Sequence, residues 1–389
     1  MSYLNKLLRN MENKKDEKKI NWYDLRDLQY LYLEKNLLKK LINEGINKAG
    51  SLSMLCKRMG STHFYTIMRK GGGISIKKLK KLLQYLNKDY NILNKKISEI
   101  KKGIRYSIRN PKFPIDLANE KTGSILGHLV SDGFLSYDRC RKDFIRTGYC
   151  SPDEQLINEF IFNINDIFGE VHFYETIVRT CKTVKTGSST IGECFKFAGV
   201  PVGKKYKIND GVPWIVIAGN TKMKKNYLSA IFDDEGSVGS FRFPYLELSR
   251  NIHIALTTKE KKFLEKNIKP HMIKSKFPTG HTNHRIAIRK ARNILNNLNS
   301  YIYNKIVKSK HKLLIEESKI LESFGIKNRV YVRGLSKTNN GDYSISSSIL
   351  VFRKQDLIKF YKNVGFKLPR KQEKLRNSLI NCGWLPYGS

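Results

Sequence analysis

From Glu34 onward, apolar residues recur at helical spacing. In "EKNLLKKLINEGI" Leu37, Leu38, Leu41 and Ile42 fall on one face. Ser51 can cap a helix carrying Leu52, Leu55, Cys56 and Met59, which Gly60 stops. "STHFYTIMRKG" reads as a second, short helix closed by Gly71, Gly72 and Gly73, and Ser75 can cap a third with Ile76, Leu79, Leu82 and Leu83 inward. Residues 91–120 are rich in Lys and Arg and lose their apolar periodicity after Ile104, which predicts a basic linker. From Thr122 an apolar helix ends in acid-Gly. Strands "FLSYD" and "DFIRTGYC", a helix "DEQLINEFIFNINDIFG" and strands "VHFYETIV" and "TIGECFKF" follow. After Glu235 the order partly recurs, a weak duplication with a period of about 100 residues. Its elements are strands "SFRFPYLELS" and "NIHIALTT" and a helix "KEKKFLEKNI". Of two endings, "HRIAIRKARNILNNLNSYI" and the later "YSISSSILVFRKQDLIKFYKNVGF" after the helix "HKLLIEESKILESFGI", the later is the better match, which leaves 265–310 as an insertion.

This pattern divides the chain into a charged lead (1–33), a helical module (34–90), a basic linker (91–120), two lobes (121–225 and 226–380) and a tail (381–389). Each of the module and the lobes has its own apolar pattern, so they are expected to fold separately. Charge sharpens the picture. Among 389 residues, 73 Lys+Arg stand against 34 Asp+Glu, a formal +39, while 40% hydrophobic and 11% aromatic residues supply material for cores. A field of that sign opposes folding by self-repulsion and calls for a polyanionic partner, nucleic acid before any other. No apolar run approaches the roughly 20 residues that span a bilayer, and the opening predicts no secretory signal. Six scattered cysteines without a CxxC pair suit a reduced cytoplasm better than a disulfide scaffold. His281 and His284 form an HxxH with no thiolate nearby, a weak zinc signal.

The helix, glycine turn, basic short helix and further amphipathic helix of 34–90 resemble the helix-turn-helix DNA-binding modules, although Ser61 stands where an apolar residue is usual. On that reading His63, Tyr65, Thr66, Arg69 and Lys70 give the second helix a face for bases and phosphates.

The acids Asp132 and Glu235 close two stretches that align without gaps, ILGHLVSDG from Ile125 and LSAIFDDEG from Leu228. Gly127 and Ser131 share one helical stripe, as do Ala230 and Asp234, and small residues there let two helices approach closely about a pseudo-twofold axis. Gly133 and Gly236 are expected to supply a left-handed exit from each helix. Two carboxylates brought to one helix-pair end would repel, and divalent cations such as Mg²⁺ relieve that repulsion and favour phosphodiester hydrolysis.

These repeats resemble the LAGLIDADG motif of the homing endonucleases, in the single-chain form with two copies. The resemblance spans residues 122–380 and includes "GVPVGKKYKINDGVPWI" after the first lobe and "VGFKLPRKQEKL" in the second. It implies an α+β fold: two pseudo-symmetric αββαββα lobes forming a DNA-binding saddle, preceded here by a small all-α helix-turn-helix domain. It further implies a monomer that cuts double-stranded DNA site-specifically with Mg²⁺ bound by Asp132 and Glu235. Lys371, and Lys205 or its neighbour Lys204, are implied as active-site lysines. Tyr137, Arg139, Arg146, Tyr174 and Arg242 are candidate strand residues for DNA contact. A DNA-binding regulator that no longer cuts, and a maturase that holds intron RNA, are the alternatives that the same family admits.

Overall fold

The computed structural model describes residues 18–34, 36–101, 107–138, 144–178, 180–205, 210–240, 243–254, 256–267, 284–287, 312–337 and 342–386. The HxxH, most of the 265–310 stretch, Arg139 and Arg242 lie wholly or partly outside them. The chain divides into two compact units, one running to Val202 and taking in Ala218–Met223, the other made of Gly203–Ile217 and everything from Lys224.

The first unit opens with β1 (Lys19–Ile20) and β2 (Tyr30–Leu33), then α1 (Leu37–Ala49), α2 (Leu52–Met59), α3 (His63–Lys70), β3 (Ile74–Ser75) and α4 (Ile76–Tyr85). Ser51 caps α2 through the Met54 amide, and Gly60 ends it at a φ of 64°. Leu41, Ile42, Leu55, Phe64, Ile67, Leu79, Leu82 and Leu83 are buried. Here the all-α expectation fails. Strands β4 (Ile97–Lys101), β5 (Ser107–Arg109) and β6 (Ile115–Asp116) occupy the supposed linker. They bury Ile97, Ile100, Ile108 and Ile115, a pattern that the lysines between them disguised. The five-stranded sheet β3-β2-β4-β5-β9 therefore joins the helices to β9 (Glu170–Val171) of the first lobe. Residues 18–33 of the charged lead are anchored as well: Trp22 is fully buried, and Arg26 pairs with Glu193 at 2.6 Å, both side chains 7% exposed. The N-terminal helices thus belong to one compact unit with the first lobe.

The lobe itself runs α5 (Glu120–Val130), β7 (Phe134–Tyr137), β8 (Ile145–Ser151), α6 (Glu154–Phe168), β9, β10 (Phe173–Val178), β11 (Cys181–Thr186) and α7 (Ser189–Phe197), with a sheet of order β10-β11-β8-β7. "TIGECFKF" is thus helical, not a strand. Ile191, Cys194, Phe195 and Ala198 are buried at helical spacing, a period that the β-favouring composition obscured.

The second unit holds α8 (Trp214–Ile217), most of α9 (Thr221–Glu235), β12 (Gly236–Ser240), β13 (Pro244–Ile254), α10 (Thr258–Asn267) and β14 (His284–Ala287). Then come α11 (Lys312–Ser323), β15 (Arg329–Lys337), β16 (Tyr343–Val351), α12 (Lys354–Asn363) and α13 (Pro369–Asn381). Its sheet order is β12-β13-β16-β15-β14. In the sheets β10-β11-β8-β7 and β12-β13-β16-β15-β14 the second strand in chain order pairs with the last: β8 with β11, β13 with β16. The later of the two endings completes the second sheet, and β14 is added at its edge.

Candidate active site

Each motif helix delivers its acid to the start of a strand, by different local means. Asn119 caps α5 by accepting from the Thr122 amide at 2.9 Å, and Ile125, Leu126 and Leu129 are buried. The helix ends at Ser131, whose amide reaches the Gly127 and His128 carbonyls, both at 3.2 Å. Asp132 is exposed on the turn, and the Gly133 amide returns to the His128 carbonyl at 2.7 Å. In the second unit α9 stays helical through Glu235, and β12 begins directly at Gly236.

Neither Gly133 nor Gly236 has a positive φ, so the left-handed exit is not what they supply. They supply space. A Cβ on Gly133 would stand 2.8 Å from the His128 carbonyl oxygen, and one on Gly236 would stand 2.6 Å from that of Phe232. Each strand leaves so close to its own helix that only a missing side chain permits it. Of the predicted packing residues, Gly127, Ala230 and Ser131 are buried and Asp234 is half-buried. Gly123, which sequence reasoning passed over, sits against the Met223 carbonyl, where a Cβ would collide.

Glu235 is held by an ion pair. Arg250 Nη1 donates to Glu235 Oε1 at 2.9 Å, and its Nη2 donates to Glu317 Oε1 at 2.8 Å. The Tyr227 hydroxyl donates to the same Glu317 oxygen at 3.1 Å. Side-chain exposures of 5% for Arg250, 0% for Glu317 and 22% for Glu235 make this a buried relay that ends at the surface. Burial works against the Arg250 charge, but the Glu235 and Glu317 carboxylates outweigh it and raise its pKa. Burial also raises Glu317 above the usual carboxylate range, against the pull of Arg250. Sequence reasoning missed Arg250. Its signal was an arginine at an apolar place in the alternation Leu246, Leu248, Arg250, Ile252, Ile254.

Lys371 comes to the same helix end, but its Nζ donates to the carbonyls of Phe232 (3.1 Å), Asp233 (2.5 Å) and Gly236 (2.7 Å). Three donors meet three carbonyls at the negative end of α9, so Lys371, which the resemblance implied as an active-site lysine, also caps this helix. Asp233 locks the same joint from the other side by accepting from the Lys367 and Leu368 amides at 2.9 and 3.2 Å. Lys205 follows Gly199 at the interval at which Lys371 follows Gly365, and both glycines have positive φ (104° and 69°). Lys205 is half-buried and Lys204 is exposed.

Strand register sorts the DNA-contact candidates. Ser136 pairs with Arg146, Lys185 with Gly148 and Tyr174 with Lys185, so Arg146 and Tyr174 share the face opposite the buried Leu135, Ile145 and Tyr149. Arg146 is there ion-paired to Asp138. Tyr137 pairs with Ile145 on the helix-covered parity, and its hydroxyl accepts from Lys196 of α7 at 3.2 Å, which removes it from the open face. On the second sheet the corresponding face carries Glu247, Ser249, Asn251, Ser346 and Ser348. Tyr331 donates to Glu247 at 2.9 Å, and the Ser249 and Ser348 hydroxyls are 2.7 Å apart. On α3, Tyr65, Thr66, Arg69 and Lys70 are exposed, while His63 is half-buried with Nε2 3.1 Å from the Gly73 carbonyl.

No protein-family model and no curated protein matches the chain. Among solved structures the chain is similar to the homing endonuclease I-DmoI in complex with DNA and Ca, at 13% identity and a TM-score of 0.36, covering 66% of this chain and 97% of that one. It is similar to the homing endonuclease I-WcaI bound to its DNA recognition sequence, at 12% identity and a TM-score of 0.35, covering 66% and 87%. It is also similar to full-length DUF199/WhiA from Thermatoga maritima, at 10% identity and a TM-score of 0.34, covering 69% and 62%.

Proposed function

We propose that this protein is a double-strand DNA endonuclease of the LAGLIDADG kind that acts with a divalent cation, Mg²⁺ by preference. One observation carries the reading: in a chain of net charge +39, each unit places an acid and then a glycine where a motif helix gives way to the first strand of a sheet, and four strands of the two sheets share one connectivity. The donor set fits a hard cation. Among the described residues no cluster of three or more His, Cys, Asp or Glu forms a closed metal cage. Asp132 and Glu235 would each give a cation carboxylate oxygen and leave the rest of its shell to water and phosphate oxygens, as Mg²⁺ prefers. Such a cation supplies positive charge where the phosphodiester becomes more negative. The protein's own part is to hold the acids. Arg250 orients Glu235 while the Lys371 cap and the Asp233 lock fix the end of its helix.

The helix-free faces of the two sheets are the proposed surfaces for double-stranded DNA. Arg146, Tyr174 and Lys185 serve the first, and Ser249 and Asn251 serve the second. Exposed Tyr65, Thr66, Arg69 and Lys70 on α3 add a helix-turn-helix-like contact. Incubating the purified protein and Mg²⁺ with a random-site DNA library, then sequencing cut ends, tests the function. Recovery of one long recognition sequence is expected. Binding without any cut ends, in Mg²⁺ or Mn²⁺, would favour a regulator and defeat the endonuclease reading.

A further inference from the structure

The second unit carries a cleft of about 600 Å³ that neither motif acid enters. It lies between the loop after α11 and the turn into α12, and its walls include Lys327, Arg329, Arg353 and Lys359 against a single acid, Glu322. Four cations around one hollow repel one another, so the cleft is preset for an anion. It is also stiffly built. The Lys327 amide donates to the buried Asp356 carboxylate at 2.9 Å, and Lys359 Nζ donates to the Gly325 carbonyl at 3.0 Å. Asn328 is fixed by Ser318, whose hydroxyl donates to it at 2.7 Å.

Within this cationic wall stands an aromatic ring. Phe352 is 37% exposed, and the Arg329 guanidinium lies over it, 5.6 Å from the ring centre. A phosphate alone has no use for that ring. A base does, because aromatic rings and guanidinium planes are both stacking platforms. A duplex keeps its base faces stacked internally, whereas an unpaired strand presents base and phosphate together. We propose that this cleft binds a single-stranded segment of nucleic acid, with a base stacked on Phe352 and Arg329 and the flanking phosphates met by Lys327, Arg353 and Lys359. The proposal goes beyond duplex cleavage and uses elements that hold neither motif acid.

The test uses the full chain and its Phe352→Ala, Phe352→Trp and Arg353→Glu variants. Each is titrated by fluorescence anisotropy against short oligothymidylate, oligouridylate and a random duplex, at low and high salt. Phe352→Ala is expected to weaken single-strand binding about tenfold, the value of one base–aromatic stack. The loss persists at high salt because stacking is not screened, and Phe352→Trp restores binding. Arg353→Glu weakens single-strand binding mainly at low salt. Duplex affinity stays unchanged in the Phe352 variants. A stronger response to oligothymidylate identifies DNA as the source of the strand, and a stronger response to oligouridylate identifies RNA. Equal single-strand affinity for parent and Phe352→Ala overturns the proposal, and so does an equal loss for duplex and single strand. Cleavage is read separately, so an inactive nuclease with a Phe352-dependent single-strand site would defeat the endonuclease reading and leave this one standing.

Discussion

The helix leading to Asp132 and the helix ending in Glu235 share a nine-residue phrase, yet different side chains pack behind the two phrases. In both units the residue just before the phrase offers a hydroxyl to a glutamate on the middle helix: Ser124 to Glu159 at 2.8 Å, Tyr227 to Glu317 at 3.1 Å. Beyond that the units diverge. Glu159 also accepts from the neutral Asn163 at 3.2 Å, and His128, Tyr149 and Phe160 pack ring against ring. Glu317 instead passes to Arg250 and so to Glu235. Phe134 and Ser237, each following its motif glycine, pair with Gly148 and Glu247, and three residues further along lie Ser151 and Arg250. The arginine at that place in the second unit gives Glu235 a guanidinium partner, where the first unit has a serine. The phrase sets where an acid emerges, and the strand behind it sets how that acid is held.

The largest expected effect tests whether the two ends remain equivalent in function. Asp132→Asn and Glu235→Gln should each lower double-strand cleavage on the order of a thousandfold, since each withdraws a cation ligand whose contribution is several kcal/mol. Duplex binding in Ca²⁺ should hold. Linearisation of a plasmid bearing the recovered site, at the parent rate, by either variant would remove that acid from the reaction.

Next in size is Arg250→Met, which strands two carboxylates and should cost about 3–5 kcal/mol. Burial already raises the Glu317 pKa, and losing Arg250 raises it further. A carboxyl whose folded pKa lies above its unfolded value destabilises the fold increasingly as pH climbs past the unfolded value. The deficit in urea melts should therefore be small in mild acid and grow toward neutral pH. A deficit that does not vary with pH would mean that the relay contributes packing alone.

The motif glycines come third. Gly133→Ala and Gly236→Ala should each destabilise by about 1–3 kcal/mol through overpacking, Gly236 the more because its nearest clash is the closer. Thermal melts of both variants would show it. Asn at either position, which tolerates positive φ but not crowding, should rescue nothing.

The smallest effect concerns α3. Arg69→Gln with Lys70→Gln should lower the slope of log affinity against log salt by roughly 0.9 for each phosphate that is no longer neutralised, with stability unchanged. An unaltered slope in Ca²⁺ titrations would take α3 off the DNA.

Local pattern settled much of this protein. Apolar period and glycine stops mark α1 to α4, the repeated phrase marks both acid-bearing helix ends, and the balance of charge points to a polyanion, because each of these is written in neighbouring residues. Short range is also the limit. The strands Ile97–Lys101 and Ser107–Arg109 are too brief and too basic for alternation to register, and they become part of a sheet only by pairing with Tyr30–Leu33 and Glu170–Val171. Arg250 reads as one basic residue among 73 until β13 folds it between Glu235 and Glu317. Lys371 carries the spacing of the family's lysine, and only the fold sets its ammonium against three backbone carbonyls. Sequence shows which side chains carry charge, and only the folded chain decides which neighbour neutralises each of them.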